Sequence, residues 1–224
     1  MKSVETSNRY SLLKHIVLFY IIWALSEIIL FPFLETSGFI SSAIFSPIWK
    51  ITVWLFPVIV ILKSQKRPIF SYLKLAPINQ KALLWIVLGI SFITGYNILM
   101  HALFYKNLVF SPYLTFMQWL NIVFIAGSVE EILFRGYFLQ KIRERFSFWE
   151  ANFLVSLLFL SIHFPIWYVN ADKIAHTVIP WLQLMTFISC FSLLQGLLFR
   201  KSCSLWPCIM MHMMNNFMAL ALVK

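Results

Sequence analysis

The chain has 224 residues, of which 61% are hydrophobic and only 12% charged, and a net charge of +10; its mean hydropathy is +0.82. A soluble domain of this size needs far more polar surface, so the composition excludes one. The positive charge does not imply nucleic acid, because the basic residues sit in short segments between apolar runs without interleaved aromatics, as loops facing anionic lipid do.

In chain order, Lys2, Arg9 and Lys14 precede an apolar run at about 15–34. That run is longer and bulkier than a signal-peptide core and lacks a small-residue cleavage site, so it reads as a first span kept in the mature protein. Further runs follow at about 46–62, 82–104, 114–140, 149–165, 178–199 and 205–223. Each is about 17 to 27 residues, enough to cross a hydrocarbon core about 30 Å thick, with 149–165 the shortest. Between the second and third runs, the basic segment 63–81 contains the amphipathic stretch FSYLKL, which suits a short helix lying at the interface.

The loops test this count. Lys2, Arg9, Lys14, Lys63, Lys66, Arg67, Lys74, Lys81, Lys141, Arg143, Arg145, Arg200 and Lys201 all fall on one side if seven runs cross. Lys106, Lys173 and Lys224 fall on the other. The positive-inside rule then puts the N-terminus in the cytoplasm and the C-terminus outside. The expected fold is all-α, a polytopic membrane helical bundle of about seven transmembrane helices, or eight with one re-entrant or interfacial segment. No linker or internal repeat divides it, so residues 1–224 read as a single integral membrane domain in the cell membrane. Cys190, Cys203 and Cys208 form neither a CxxC pair nor a metal-type cluster and read as inert buried thiols.

Polar groups inside the spans carry the functional information: Glu27, Lys50, His101, Glu130, Glu131, Arg135, His163, His212, Asn215 and Asn216. Glu131 and Arg135 are four apart and share a helix face, so a structural ion pair accounts for both. Glu130 is rotated about 100° from Glu131 and needs another partner. His212 and Asn216 are also four apart; they suit an interhelical hydrogen-bonding patch or a shared site. A lone histidine such as His163 or His101 is commonly an interfacial hydrogen-bonder, and Lys50 suits snorkelling to the nearer interface. Glu27 and Lys50, on neighbouring spans, are alternatively a pair. His176 belongs to an external loop.

Depth favours a shared site. Glu130 lies about 16 Å, His163 about 21 Å and His212 about 15 Å from the cytoplasmic ends of their spans, all near the bilayer middle. A common polar cavity suits hydrolysis. A buried glutamate can act as general base to a water, a neutral histidine can position it, and a histidine with an amide can stabilise an oxyanion. No serine or cysteine stands beside these groups as a nucleophile; Ser128 lies on the opposite side of the helix from Glu130. HExxH is absent. A divalent metal such as zinc held by Glu130, His163 and His212 is chemically possible.

The sequence resembles a known family on three motifs. EEILFR resembles EExxxR (Glu130, Glu131, Arg135), FLSIH resembles FxxxH (Phe159, His163), and HMMNN resembles HxxxN (His212, Asn216). The flanks, including Ser-Leu-Trp-Pro at 204–207, are similar too. The family is that of CAAX proteases and bacteriocin-processing enzymes (CPBP or Abi, the type II CAAX prenyl endopeptidases), intramembrane proteases. The resemblance covers about 114–224, which it marks as the catalytic core. It implies that Glu130 and His163 activate water, that His212 and Asn216 form the oxyanion site, and that Glu131 and Arg135 support it. The family is often described as metal-dependent, but the chemistry here looks closer to a glutamate-dependent protease with no cofactor. The implied partners are membrane lipids and a substrate: a lipidated peptide, a leader peptide or a membrane-protein segment. A non-catalytic immunity factor or scaffold of the same family is the alternative. A proton-coupled transporter fits poorly, since repeats and paired broken helices are absent.

Overall fold

The computed structural model describes residues 2–37, 42–105, 109–110, 114–171 and 178–223. They are almost entirely helical. Helix α1 (2–37) runs through a π-helical turn at Ser26–Leu30, and α2 is Ser42–Ser64. A single turn, α3 (Ile69–Tyr72), precedes α4 (Gln80–Tyr105). Helix α5 (116–143) alternates: π-helical at Trp119–Ala126, α-helical at Gly127–Glu131, π-helical again at Ile132–Leu139. Then come α6 (Phe148–Ser161), α7 (Phe164–Val169), α8 (Val178–Ser202) and α9 (Trp206–Ala221). Strand β1 (Val109–Phe110) pairs antiparallel with β2 (Leu222–Val223), Val109 opposite Val223.

Local chemistry sets the boundaries. Thr115 with Gln118, and Ser147 with Glu150, form reciprocal capping boxes that start α5 and α6. Asn79 Oδ1 accepts the amide of Ala82 at the start of α4. Pro165 cannot donate a backbone hydrogen bond, and the helix of the fifth expected span breaks at Ile162–His163.

Among the described residues, five helical stretches are long and apolar enough to cross a membrane: Leu12–Ser37, Phe45–Ser64, Gln80–Phe104, Phe148–Val169 and Trp181–Ser202. The chain is a membrane protein on this and the family evidence below. The other two expected spans are helical but differ in kind. α5 carries Glu130, Glu131 and Arg135 at mid-length. α9 has 16 residues, about 24 Å of rise, short of a full hydrocarbon core.

The chain divides into two compact units. The first comprises residues 1–57 and 138–194. Phe19 and Trp23 of α1 meet Trp54 of α2 edge-on, with centroids 5.1 and 4.8 Å apart. The Lys50 ammonium lies over the Trp23 and Trp54 rings, at 5.5 and 4.8 Å. Lys50 is therefore held by aromatic faces, where snorkelling was expected, because two ring quadrupoles offer the cation a partner at its own depth. Asn152 of α6 donates to the Leu193 carbonyl of α8.

The second unit comprises 58–137 and 195–224. Here α9 packs along α4 and along the Trp119–Glu131 part of α5. Trp119 stacks on Phe217 at 5.0 Å. Leu205 N donates to Lys74 O and Trp206 Nε1 to Ala76 O, each at 3.0 Å, tying the start of α9 to the segment after α3. At Gly127, α5 approaches α9 closely: a Cβ there would lie 3.2 Å from Met213 N and 3.3 Å from its Cα. Backbone cannot yield as a side-chain tip can, so Gly127→Val should cost about 1–3 kcal/mol by forcing the helices apart. A lowered unfolding midpoint in detergent checks this; an unchanged one refutes the close approach.

Two further expectations need correction. His101 is only 6% exposed, so α4 packs it inside rather than presenting it to the interface. Of the thiols only Cys208 is buried; Cys190 and Cys203 are exposed. Each is exposed beside buried neighbours, Phe191 and Ser192 next to Cys190 and Ser202 and Ser204 around Cys203, which hydrophobic runs alone do not reveal. His176 lies outside the described residues.

Candidate active site

The second unit assembles a compact polar cluster between α5 and α9. Glu131 and Arg135, one turn apart on α5, form an ion pair of 3.0 Å with both side chains fully buried. The same Glu131 oxygen, Oε1, also accepts from His212 Nδ1 of α9 at 2.8 Å. Glu131 thus does more than neutralise Arg135, the role expected of it: it also orients the histidine. No spacing rule announces this contact, since it joins residues 81 apart in the chain.

Glu130 turns to the other side of the same ring. Its Oε2 lies 3.8 Å from His212 Nε2, and both residues are nearly buried, at 7% and 5% exposure. His212 therefore stands between two adjacent carboxylates, one on each ring nitrogen. The 100° offset that separates Glu130 from Glu131 allows a single ring to meet both. The ionised Glu131, held by Arg135, accepts only; Nδ1 of His212 must then carry the proton. Nε2 accepts when the ring is neutral and donates when it is protonated.

Asn216, one turn beyond His212, donates from Nδ2 to the Ile122 carbonyl at 2.9 Å. Ile122 lies in the first π-helical stretch of α5. His212 and Asn216 thus both meet α5, His212 through a side chain and Asn216 through the backbone. The neighbouring Asn215 Oδ1 accepts from Asn97 Nδ2 of α4 at 3.3 Å, a link between α4 and α9 that sequence reasoning did not find. Only the amide side chain of Asn97 within an apolar span could have pointed to it.

His163 belongs to the first unit and sits at the α6–α7 break. Its Nδ1 lies 2.9 Å from the Phe159 carbonyl. A carbonyl only accepts, so Nδ1 carries the proton and the neutral ring presents Nε2 as an acceptor. The Phe159 ring packs edge-on to the imidazole at 5.4 Å, and Trp167 packs on it at 5.7 Å. The four-residue interval in FxxxH follows: Phe159 supplies both a carbonyl for Nδ1 and a wall for the ring.

Among the described residues, no three His, Cys, Asp or Glu side chains are grouped so as to hold a metal ion. No step below passes through a metal ion.

No curated protein and no solved structure matches the chain. Residues 112–218, which include every residue of the three motifs, match the family model described as type II CAAX prenyl endopeptidase Rce1-like. With the motifs on the helices just described, residues 112–218 belong to the family of Rce1-like type II CAAX prenyl endopeptidases.

Proposed function

We propose that the protein is an intramembrane endopeptidase in which Glu130 and His163 activate a water and His212 and Asn216 form the oxyanion site. The observation that carries this reading is the placement of Glu130 and Glu131 on opposite sides of the His212 ring, in a nearly solvent-free cluster within the stretch that matches an endopeptidase family. A purely structural ion pair needs only Glu131 and Arg135. Glu130 adds a second buried carboxylate, 3.8 Å from the same imidazole.

The chemistry follows. At 3.8 Å, Glu130 and His212 are too far apart for a direct hydrogen bond, and one small molecule can reach both. A water there gives a proton to Glu130 while its oxygen attacks the scissile carbonyl carbon. His163 Nε2, a lone-pair acceptor, helps to hold that water. The C=O electron pair moves to the oxygen, which accepts from protonated His212 Nε2 and from the second N–H of Asn216. Glu131 balances the imidazolium, and Arg135 balances Glu131 in turn. Breaking the C–N bond passes the Glu130 proton to the leaving amine, releasing an acid and an amine.

The substrate is a peptide, lipidated or carried by another membrane protein, and a peptide with a prenylated cysteine is the first probe because of the matched family's description. Bilayer lipids are the partners of the outward apolar side chains, among them Phe33, Phe56 and Leu103. The N-terminus faces the cytoplasm and the C-terminus the exterior, following the basic loops. In liposomes, the protein should cleave that probe to two products identifiable by mass. His163→Ala should lower the rate by about 10²-fold, the effect of losing one proton-handling group. Chelators should leave the rate unchanged; loss restored by added zinc would overturn the metal-free mechanism. No cleavage of this probe or of leader peptides, with biological protection retained in His163→Ala, would favour a non-catalytic immunity factor.

A further inference from the structure

The break that carries His163 exposes several backbone carbonyls, which in a lipid environment need donors. The structure accounts for them in turn. Leu160 O accepts from the amides of Ile162 and His163. His163 O accepts from Trp167 N at 3.0 Å. Phe159 O takes the imidazole Nδ1–H. Two further donors come from α1, 138 and 139 residues away in the chain. Trp23 Nε1 donates to Ile162 O at 3.1 Å, and the Tyr20 hydroxyl donates to Leu158 O. Ser161 Oγ lies 3.1 Å from the Tyr20 oxygen and 2.9 Å from Leu158 O, closing the group.

These carbonyls flank the one that orients His163. Leu158 and Ile162 lie on either side of Phe159 along the last turn of α6, and both are anchored by side chains of α1. Both residues are packed in α1: the Tyr20 ring meets Phe19 edge-on at 5.2 Å. Phe19 and Trp23 pack edge-on against Trp54, and both Phe19 and Trp23 are buried. A rigid neighbour thus sets where α6 stops.

We infer that Tyr20 and Trp23 are positioning residues for His163: by holding the Leu158 and Ile162 carbonyls they fix the end of α6, so that Phe159 O keeps the Nδ1–H tautomer and Nε2 points outward as the acceptor. Helix α1 lies outside the stretch that matches the family, so this part of the chain contributes to the site through a contact that the motifs do not contain. The catalytic consequence rests on the proposed hydrolytic role of His163; the structural claim does not.

The test uses the full chain, labelled with ¹⁵N-histidine in detergent micelles, with the His163 signals assigned by their loss in His163→Ala. The wild type should show the Nδ1–H tautomer at His163. In Tyr20→Phe, which removes one hydroxyl, and in Trp23→Phe, the ring should shift towards a mixture of tautomers while the His212 signals stay in place. An unshifted His163 in both variants overturns the inference, whatever the protein's activity. If Trp23→Phe does not fold, Tyr20→Phe alone decides. In parallel, kcat on the prenylated probe should fall about tenfold with KM unchanged, the effect of one lost buried hydrogen bond. Tautomer shifts without any change in kcat would keep the positioning and overturn the catalytic role of His163; a rise in KM alone would assign Tyr20 and Trp23 to substrate binding instead.

Discussion

Glu130→Gln should lower hydrolysis about 10⁴-fold, the upper range for a general base whose proton transfer also creates the nucleophile. The substitution keeps the shape of the side chain and removes its basicity. Glu130 is 7% exposed and is not part of the buried 3.0 Å ion pair, so the variant should stay folded in the membrane at normal abundance. Cleavage of the prenylated probe in liposomes, with unfolding followed in the same sample, separates chemistry from folding. Retained hydrolysis in the glutamine variant would remove Glu130 from the mechanism.

Arg135→Ala should act the other way, through stability. It deletes the cation from a pair in which both side chains are fully buried. Breaking a buried pair from one side leaves an uncompensated charge and costs about 3–5 kcal/mol. Here that charge is Glu131, which also holds His212 at 2.8 Å, so the loss reaches the ring. The double change Arg135→Met with Glu131→Gln should recover much of the stability, because neither member of the pair is left as an unpaired buried charge, but not the activity. Chemical denaturation of the three proteins in one detergent measures this. Equal midpoints for the single variant and the wild type would show that the pair is replaceable.

The sequence revealed what periodicity encodes. The four-residue interval between Glu131 and Arg135 implied one face and a pair, and the pair is present. The same interval between His212 and Asn216 placed both against α5. Apolar runs located the helices, although the run at 149–165 read as one span and the break near His163 went unread. What remained hidden depends on the third dimension. The carboxylate of Glu131 serves two partners because α9 comes close at Gly127, and nothing in a linear pattern says which helices touch. Lys50 looked like an interfacial cation because a sequence does not show that two indole rings lie beside it. The hydrogen bonds from Tyr20 and Trp23 were equally invisible, since an aromatic residue in an apolar run reads as bulk.

The two π-helical stretches of α5 have a consequence for how this helix tolerates changes in length. They lie on both sides of the α-helical turn that carries Glu130 and Glu131. Each wide turn holds backbone slack that an ordinary turn would not. Removing one residue from either stretch would let its wide turn tighten to an ordinary one and absorb much of the shortening, whereas a deletion in an α-helical turn rotates everything past it by about 100°. A deletion inside the short α-helical turn would therefore move the two acids relative to the His212 ring they flank. Slack on both sides confines the sensitivity of α5 to length changes to the turn that carries Glu130 and Glu131.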